Sequence, residues 1–171
     1  MPRPPRPTGA PAPKRPGETL VGLVADTHGL VRRECLSALR GVDVILHAGD
    51  VGGAHVLEEL ARVAPVRAVS GNVDALTSGL PATLELEVGG LTVHVSHGHE
   101  LGVPRPTGLV QRYGADIIVY GHTHRALVEW VGRQLVVNPG AAGPARFHLV
   151  PSVAWLRIAG GEADVELRAL V

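Results

Sequence analysis

Short apolar runs alternate with amphipathic helical stretches in the first half of the chain. Residues 20–25, 42–46 and 66–69 are mostly apolar, which is typical of strands buried on both faces of a sheet. Between them, apolar residues recur at helical spacing over 31–40 and 56–63, with charged residues on the opposite face. Strands that alternate with helices of this length predict a parallel sheet with right-handed crossovers.

The pattern changes after Pro81. Apolar and polar residues alternate over 84–88 and again over 91–95, on either side of Gly89-Gly90, which predicts a hairpin with one solvent-facing side. A short amphipathic helix and a buried strand are predicted next. The later strands are predicted to be antiparallel, which suggests a second sheet packed against the first. These later segments are the helix 107–113, the buried strand 117–120, and the strands 126–131, 134–137, 152–158 and 163–170.

The N-terminal segment 1–17 differs in composition from the rest of the chain. It holds half of the 14 prolines and four basic residues but no acidic residue. Such a composition cannot form a packed core, so an extended or disordered tail is predicted, and an inert extension is favoured over a docking tail. Residues 18–171 are long enough for one domain with a substantial core, at 45% hydrophobic content overall.

Charge and cysteine usage exclude several classes of protein. The formal net charge is zero, which argues against strong nucleic-acid binding through phosphate neutralisation. The single cysteine, Cys35, rules out an internal disulfide, fits a reducing compartment and is predicted to be a small core residue on a helix. No apolar run reaches the length of a membrane span, and the start lacks the apolar centre of a signal peptide. We therefore expect a cytoplasmic protein with no membrane partner, and a homo-oligomer remains open.

Residues that can bind metal follow five of the predicted strands. The carboxyl ends of parallel strands form one rim of an α/β sheet, so side chains far apart in sequence are expected to meet there. Gly121 also allows a sharp turn after a buried strand, before two histidines separated by one residue. The candidate ligands are Asp26, His28, Asp50, Asn72, His97, His122 and His124.

The ligand types indicate a catalytic metal centre. Oxygen and imidazole donors without thiolate suit transition-metal ions, and manganese is our first choice ahead of iron, zinc, cobalt and nickel. Seven ligands are too many for one catalytic ion with an open position, but they fit two ions if a carboxylate bridges them, and Asp50 is the predicted bridge. Two ions about 3.5 to 4 Å apart can hold a hydroxide and grip both ends of an in-line displacement at phosphorus.

The candidate ligands also lie in motifs that carry a family resemblance. Five ordered motifs resemble those of the calcineurin-like metallophosphoesterases, and the Gly-Asn-x-Asp form and Asn138-Pro139-Gly140 resemble the small bacterial and archaeal phosphodiesterases of that superfamily. The five are Asp26-x-His28, Gly49-Asp50, Gly71-Asn72, His97-Gly98-His99 and Gly121-His122-Thr123-His124.

This resemblance implies a fold and a division of the ligands. The implied fold is a four-layer α-β-β-α sandwich, in which two mixed sheets are flanked by helices. Two overlapping ligand sets are implied, with Asp50 in both. The first ion would be held by Asp26, His28, Asp50 and His124, and the second by Asp50, Asn72, His97 and His122.

Val73 departs from the family pattern. Many members have a histidine after the Gly-Asn pair that assists the leaving group, and valine can neither donate a proton nor bind phosphate. His99 is the candidate catalytic residue in its place, as a substitute acid or phosphate donor, and orientation of His97 is an equal alternative.

The leading hypothesis is a dinuclear metal-dependent phosphodiesterase that acts on a small phosphodiester or nucleotide-like substrate. A metal-bridging hydroxide would attack phosphorus directly, without a covalent enzyme intermediate. The alternatives are a catalytically silent scaffold or protein-binding module of the same fold, and a phosphomonoesterase or nucleotide hydrolase. A scaffold is expected to lose motif histidines and acids, whereas all seven candidate ligands are present.

Other polar residues are assigned simpler roles. His94 alternates with Val93 and Val95 and is predicted to be a surface residue. For Asp74 we favour a simple turn role over capping or orienting the Asn72 loop. For His47 we favour an ordinary position near a strand end over a role in supporting the metal ligands.

Overall fold

The computed structural model describes residues 13–171, which form two five-stranded mixed sheets with a few short helices. The predicted fold class is confirmed. The predicted tail falls mainly on residues 1–12, which lie outside the described residues. The strands are β1 Thr19–Val24, β2 Val44–His47, β3 Val66–Ala68, β4 Thr83–Val88, β5 Leu91–Ser96, β6 Ile117–Val119, β7 Leu127–Val131, β8 Gln134–Asn138, β9 Ser152–Ala159 and β10 Glu162–Ala169; the helices are α1 Arg33–Ala38, α2 Ala54–Ala61 and α3 Pro106–Arg112.

The first sheet has the strand order β10-β9-β1-β2-β3. β1, β2 and β3 are parallel, as the alternation of strands and helices predicts, and Val24 pairs with His47, which pairs with Ala68. This register ends the three strands at the same edge, so the loops that follow them start side by side. The antiparallel pair β9 and β10 completes this sheet through β1.

The second sheet has the order β4-β5-β6-β8-β7. Its central strands β5, β6 and β8 are parallel, with Val95 paired to Val119 and Val119 to Val137. The last four strands were expected to be antiparallel and to indicate the second sheet. Each hairpin is antiparallel, β9 also pairs antiparallel to β1, and β7 and β8 lie in the second sheet, so the prediction is correct to this extent. β9 and β10 join the first sheet, and β8 pairs parallel to β6, because alternation along the chain does not specify which strand is the neighbour.

Three apolar clusters define four layers. One lies between the sheets and includes Leu23, Val95 and Leu156. A second packs α1 and α2 on the outside of the first sheet, and the third packs α3 on the outside of the second sheet. Cys35 is buried on α1, as predicted. In the described part of the chain, no helix combines the length and apolar character needed to cross a membrane.

The prediction for His94 is wrong. The side chain is buried, and its ring stacks on Tyr113 with centroids 3.7 Å apart. The outer face of β5 is covered by the segment that follows α3, so only the neighbouring strand β4 keeps the solvent-facing alternation that the hairpin pattern suggested.

Candidate metal centre

The loops after β1, β2, β5 and β6 are held together by backbone hydrogen bonds. The Asp26 N–H donates to the Gly49 carbonyl at 3.0 Å, and the His28 N–H donates to the Asp50 carbonyl at 3.0 Å. In the second sheet, the Gly121 N–H donates to the His97 carbonyl, also at 3.0 Å. Because the strand ends are aligned, these bonds extend the parallel pairing beyond each sheet and fix the loops that carry the candidate ligands.

One hydrogen bond joins the loops of the two sheets directly. The Asp26 carboxylate accepts the backbone N–H of His122 through Oδ2 at 3.1 Å. This contact leaves the other oxygen, Oδ1, free to face a cluster of imidazoles. Asp26 is fully buried, so its charge lies in a site from which water is largely excluded.

Asp26 Oδ1 faces three imidazole nitrogens. It lies 3.4 Å from His124 Nε2, 3.8 Å from His97 Nε2 and 3.9 Å from His28 Nε2. Asp50 Oδ2 lies 3.3 Å from His97 Nε2 and 3.6 Å from His28 Nε2. Five of the seven predicted ligands therefore direct donor atoms into one small volume.

The donor atoms form two groups, each of which could hold a metal ion, and Asp26 belongs to both. One consists of Asp26, His28 and His124, the other of Asp26, Asp50 and His97, and within each group the donor atoms lie within 4.8 Å of one another. Asp26 Oδ1 and His97 Nε2 are buried and have no hydrogen-bond partner among the residues described. Buried polar atoms are rarely left without partners, so this arrangement fits divalent ions.

The orientation of His97 also suits a ligand. Its Nδ1 lies 2.8 Å from the Ala48 carbonyl, which can accept only from a protonated nitrogen, so Nε2 keeps its lone pair toward the carboxylates. Burial lowers the pKa of His97, but the carboxylates of Asp50 and Asp26 outweigh burial and raise it. In the metal-free site a proton on His97 would compete with a metal ion.

Asp50 is held as an anion. Burial raises its pKa, but the facing His97 ring and the backbone N–H of Val73, which donates to Oδ1 at 3.0 Å, bring the pKa to about 2. At neutral pH this carboxylate is therefore ionised and available to a cation.

The remaining predicted residues lie around this cluster. The His122 ring is 5.1 Å from the His97 ring, and burial lowers the pKa of His122. Asn72 is exposed in the turn after β3, between Gly71, which abuts Asp50, and Val73. His99 begins a 3-10 turn at the rim, with its ring 5.3 Å from that of His97 and 6.2 Å from that of His122.

Backbone strain is concentrated at the candidate ligands. Left-handed φ angles are unfavourable for residues with a Cβ and accumulate at functional sites. Of the seven described non-glycine residues with positive φ, five are predicted ligands. These are Asp26 (52°), His28 (46°), Asp50 (52°), His122 (68°) and His124 (58°).

Two glycines are required by close approach. A Cβ on Gly71 would lie 2.1 Å from Asp50 Oδ1, and a Cβ on Gly49 would lie 2.8 Å from His97 Nδ1. Gly49 also has a φ of 93°. The Gly-Asp and Gly-Asn pairs therefore supply both a ligand and the space that the neighbouring ligand needs.

The structure adds two positioning residues that sequence reasoning undervalued. Asp74 accepts the backbone N–H groups of Val51 at 3.1 Å, Gly52 at 3.0 Å and Gly71 at 2.8 Å, so it ties the Asp50 loop to the Asn72 loop. Asn138 is buried and donates to the Gly121 carbonyl at 3.0 Å, which supports the turn before His122. Both were visible in the sequence as Gly-Asn-x-Asp and Asn-Pro-Gly, but the contacts that define their roles come from distant loops.

His47 is a third support. It is fully buried, accepts the Gly49 N–H on Nδ1 at 3.2 Å and lies 2.9 Å from Thr27 Oγ1 through Nε2. The Thr27 hydroxyl donates to the Val51 carbonyl at 2.7 Å, so the pattern requires a neutral ring protonated on Nε2. The expectation that His47 is a plain strand-end residue is replaced by a role between the first two ligand loops.

His47 should make stability depend on pH. Burial lowers its pKa from 6.5 to about 4, so the unfolded chain takes up a proton that the folded chain resists. Its contribution is fully present above pH 6.5 and is lost as the pH falls toward 4, by on the order of 1 kcal/mol per pH unit.

Denaturant unfolding of the metal-free chain between pH 7 and 4.5 would test this, with His47→Gln as the comparison. The variant should be less stable at pH 7 but should lose stability less steeply toward pH 4.5. Equal slopes for the two proteins would refute the assignment.

Comparison with known proteins agrees with this geometry. Residues 20–161 match the model of the calcineurin-like phosphoesterase superfamily domain. The chain is 33% identical over 159 residues to a probable metallophosphoesterase of Methanothermobacter thermautotrophicus, covering 86% of this chain and 91% of that protein. It is 28% identical over 138 residues to a phosphodiesterase of Methanocaldococcus jannaschii, covering 70% of this chain and 82% of that protein.

The fold is also similar to a solved structure of Vps29 from Entamoeba histolytica. The TM-score is 0.73 at 24% identity, over 90% of this chain and all of that one, and a likeness at this identity concerns the fold alone. The chain belongs to the calcineurin-like phosphoesterase superfamily, a metal-dependent family, and carries candidate ligand groups for the metal.

Proposed function

We propose that the protein is a dinuclear metal-dependent phosphodiesterase. The observation that supports this best is the buried Asp26 carboxylate, whose Oδ1 faces the Nε2 atoms of His28, His97 and His124. The other Asp26 oxygen is already occupied by a backbone N–H. A buried anion that faces three imidazoles without a hydrogen-bond partner on that oxygen is suited to a cation.

The geometry supports two ions over one. Asp50 Oδ2 lies between His28, which belongs to the first proposed ligand set, and His97, which belongs to the second. A carboxylate in this position can bridge two ions, as proposed for Asp50. Asn72 and His122 complete the second set in this proposal. We keep manganese as the first choice, among the ions that accept oxygen and imidazole ligands.

When bound, such ions would lower the pKa of a water nucleophile and neutralise the phosphoryl oxygens. The chain itself provides the orientation. His97 is fixed by the Ala48 carbonyl, Asp26 by the His122 N–H and Asp50 by the Val73 N–H. These contacts hold the donors in place before the substrate arrives, which lowers the cost of organising the site.

His99 is our candidate for the group that protonates the leaving oxygen. It lies at the rim beside His97 and His122, and its side chain is 39% exposed, so a substrate can reach it. Val73 is also exposed, but it has no proton to donate. Placing the acid at His99 puts the leaving group on the same side as the second proposed ligand set.

Hydrolysis assays on the metal-free chain with added Mn²⁺ test this function. We expect turnover of bis(p-nitrophenyl) phosphate, with kcat/KM roughly tenfold or more above that for p-nitrophenyl phosphate. Preference for the monoester would favour the phosphomonoesterase alternative. No turnover with Mn²⁺, Fe²⁺, Zn²⁺, Co²⁺ or Ni²⁺ would contradict the proposed hydrolase and leave a scaffold of the same fold.

A further inference from the structure

The loop between β8 and β9 is built directly on the backbone of the candidate metal centre. The Ala142 N–H donates to the Ala25 carbonyl at 2.9 Å, and the Gly143 N–H donates to the Asp26 carbonyl at 3.2 Å. The Arg32 Nε donates to the Gly143 carbonyl at 3.0 Å. The loop therefore leaves from a fixed point beside Asp26, and its tip is held near the ligands.

The tip of this loop is strained. The Leu149 N–H donates to the Arg146 carbonyl at 2.9 Å, which closes a four-residue turn, called here the Arg146 turn (residues 146–149). Its two central residues, Phe147 and His148, have φ angles of 54° and 58°. Turns with two positive φ angles normally carry glycine or asparagine at these positions.

The same left-handed backbone conformation occurs at the candidate ligands. In residues 13–171, the non-glycine residues with positive φ are the five predicted ligands and these two. Strained residues persist where the surroundings fix them and cluster at functional sites. The Arg146 turn shares this feature with the candidate ligands and lies beside them.

Arg146 faces the metal centre. It lines a surface depression together with His124. No carboxylate of the described chain lies within ion-pair distance of the Arg146 guanidinium, so this cation is available to an anionic ligand.

Phe147 adds an apolar surface to the same turn. Phe147 is 81% exposed, although a large aromatic residue is normally buried. A planar ring next to a free guanidinium offers stacking and phosphate binding within one turn. Neither feature has a structural role among the described contacts.

We propose that Arg146 and Phe147 form a substrate subsite for phosphodiesters that retain a planar aromatic group on phosphorus. Arg146 binds a non-bridging oxygen, and Phe147 stacks on the retained ring. This inference rests on the proposed function. His99 lies beside His97 and His122, while Arg146 lies beside His124, so the leaving group and the retained group extend toward different parts of the site. This suits an in-line displacement, in which the leaving group lies opposite the nucleophile and the retained group lies to the side.

A binding titration tests the subsite without turnover. The full chain would carry Phe147→Trp and Trp130→Phe, which places an indole in the turn and removes the other exposed one, since Trp155 is buried. In the Zn²⁺-loaded protein, AMP should bind at least tenfold more tightly than methyl phosphate or adenosine, as measured by quenching of the indole fluorescence. Phenyl phosphate binding as tightly as AMP would show that any aryl ring suffices, whereas weaker binding would identify a nucleoside group.

Arg146→Met should remove this quenching in the same background. Arg62→Met, at an exposed arginine that follows α2, is the matched control and should leave it unchanged. Equal binding of AMP and methyl phosphate, or quenching unaffected by Arg146→Met, would overturn the subsite.

Kinetics provide a second test with two substrates that share a leaving group. Phe147→Ala should raise KM about tenfold for thymidine 5′-p-nitrophenyl phosphate but leave kcat and the KM for methyl p-nitrophenyl phosphate nearly unchanged. Phe147→Tyr keeps the ring and should behave as wild type. If both diesters are hydrolysed and Phe147→Ala affects them alike, the subsite is wrong while the phosphodiesterase stands. If the wild-type protein hydrolyses neither, the proposed function fails, and the titration still decides the subsite.

Discussion

Asp26→Asn should reduce phosphodiester hydrolysis to about a thousandth of the wild-type rate or below, because a divalent ion contributes several kcal/mol to the reaction. Asp26 Oδ1 belongs to both donor groups and lies within 3.9 Å of three imidazoles. A neutral amide oxygen is a much weaker ligand than a carboxylate. Metal content per chain, measured after gel filtration, should fall together with kcat/KM.

The substitution should leave the fold intact. Asparagine has nearly the same shape, and its oxygen can still accept the His122 N–H that Asp26 accepts at 3.1 Å. Asp164→Asn makes the same chemical change at an exposed position on β10 and should have no effect on activity. If Asp26→Asn retained more than a tenth of wild-type activity, the role assigned to this carboxylate would be wrong.

Asp74→Asn is expected to have the next largest effect, although Asp74 touches no proposed metal position. Its carboxylate accepts three backbone N–H groups, from Val51, Gly52 and Gly71. An asparagine offers one oxygen and would turn its own N–H₂ toward at least one of these donors. Losing a hydrogen bond to a charged carboxylate costs about 1.5 to 3 kcal/mol, which corresponds to roughly 3 to 12 °C in melting temperature.

The loss of activity should follow from displaced ligands. Val51 directly follows Asp50, and Gly71 directly precedes Asn72, so loosening this contact moves two ligand loops. Residues that orient metal ligands typically contribute about 10- to 100-fold to activity or metal affinity. Thermal unfolding and kcat with saturating Mn²⁺ measure the two effects, again with Asp164→Asn as control. Wild-type values of both would show that Asp74 only shapes its own turn.

The sequence could predict the site because one physical rule connects distant residues. Asp26, Asp50 and His97 each follow a short apolar run, and parallel pairing brings the ends of such strands to one edge. The same rule explains why a parallel sheet could be predicted from the alternation of strands and helices, whereas the four-layer sandwich was implied by the family resemblance. The sheet that the C-terminal hairpin β9–β10 joins could not be predicted, because the alternation of apolar and polar residues would be the same in either sheet.

Contacts between loops were the part that the sequence did not reveal. The three N–H groups around Asp74 come from two loops. The burial of His94 on β5 depends on Tyr113, which follows α3. The positive φ angles of Phe147 and His148 were equally hidden, since a left-handed backbone is uncommon for residues other than glycine. Such features depend on tertiary packing around a site more than on local preference.

The proposed pair of ions is tested most directly by anomalous diffraction from crystals grown with Mn²⁺. The account predicts two manganese peaks about 3.5 to 4 Å apart. One should lie among Asp26, His28 and His124, and the other against Asp50 and His97, where the donor atoms of each group converge. A single peak at this position, or peaks only elsewhere on the protein, would contradict the dinuclear centre.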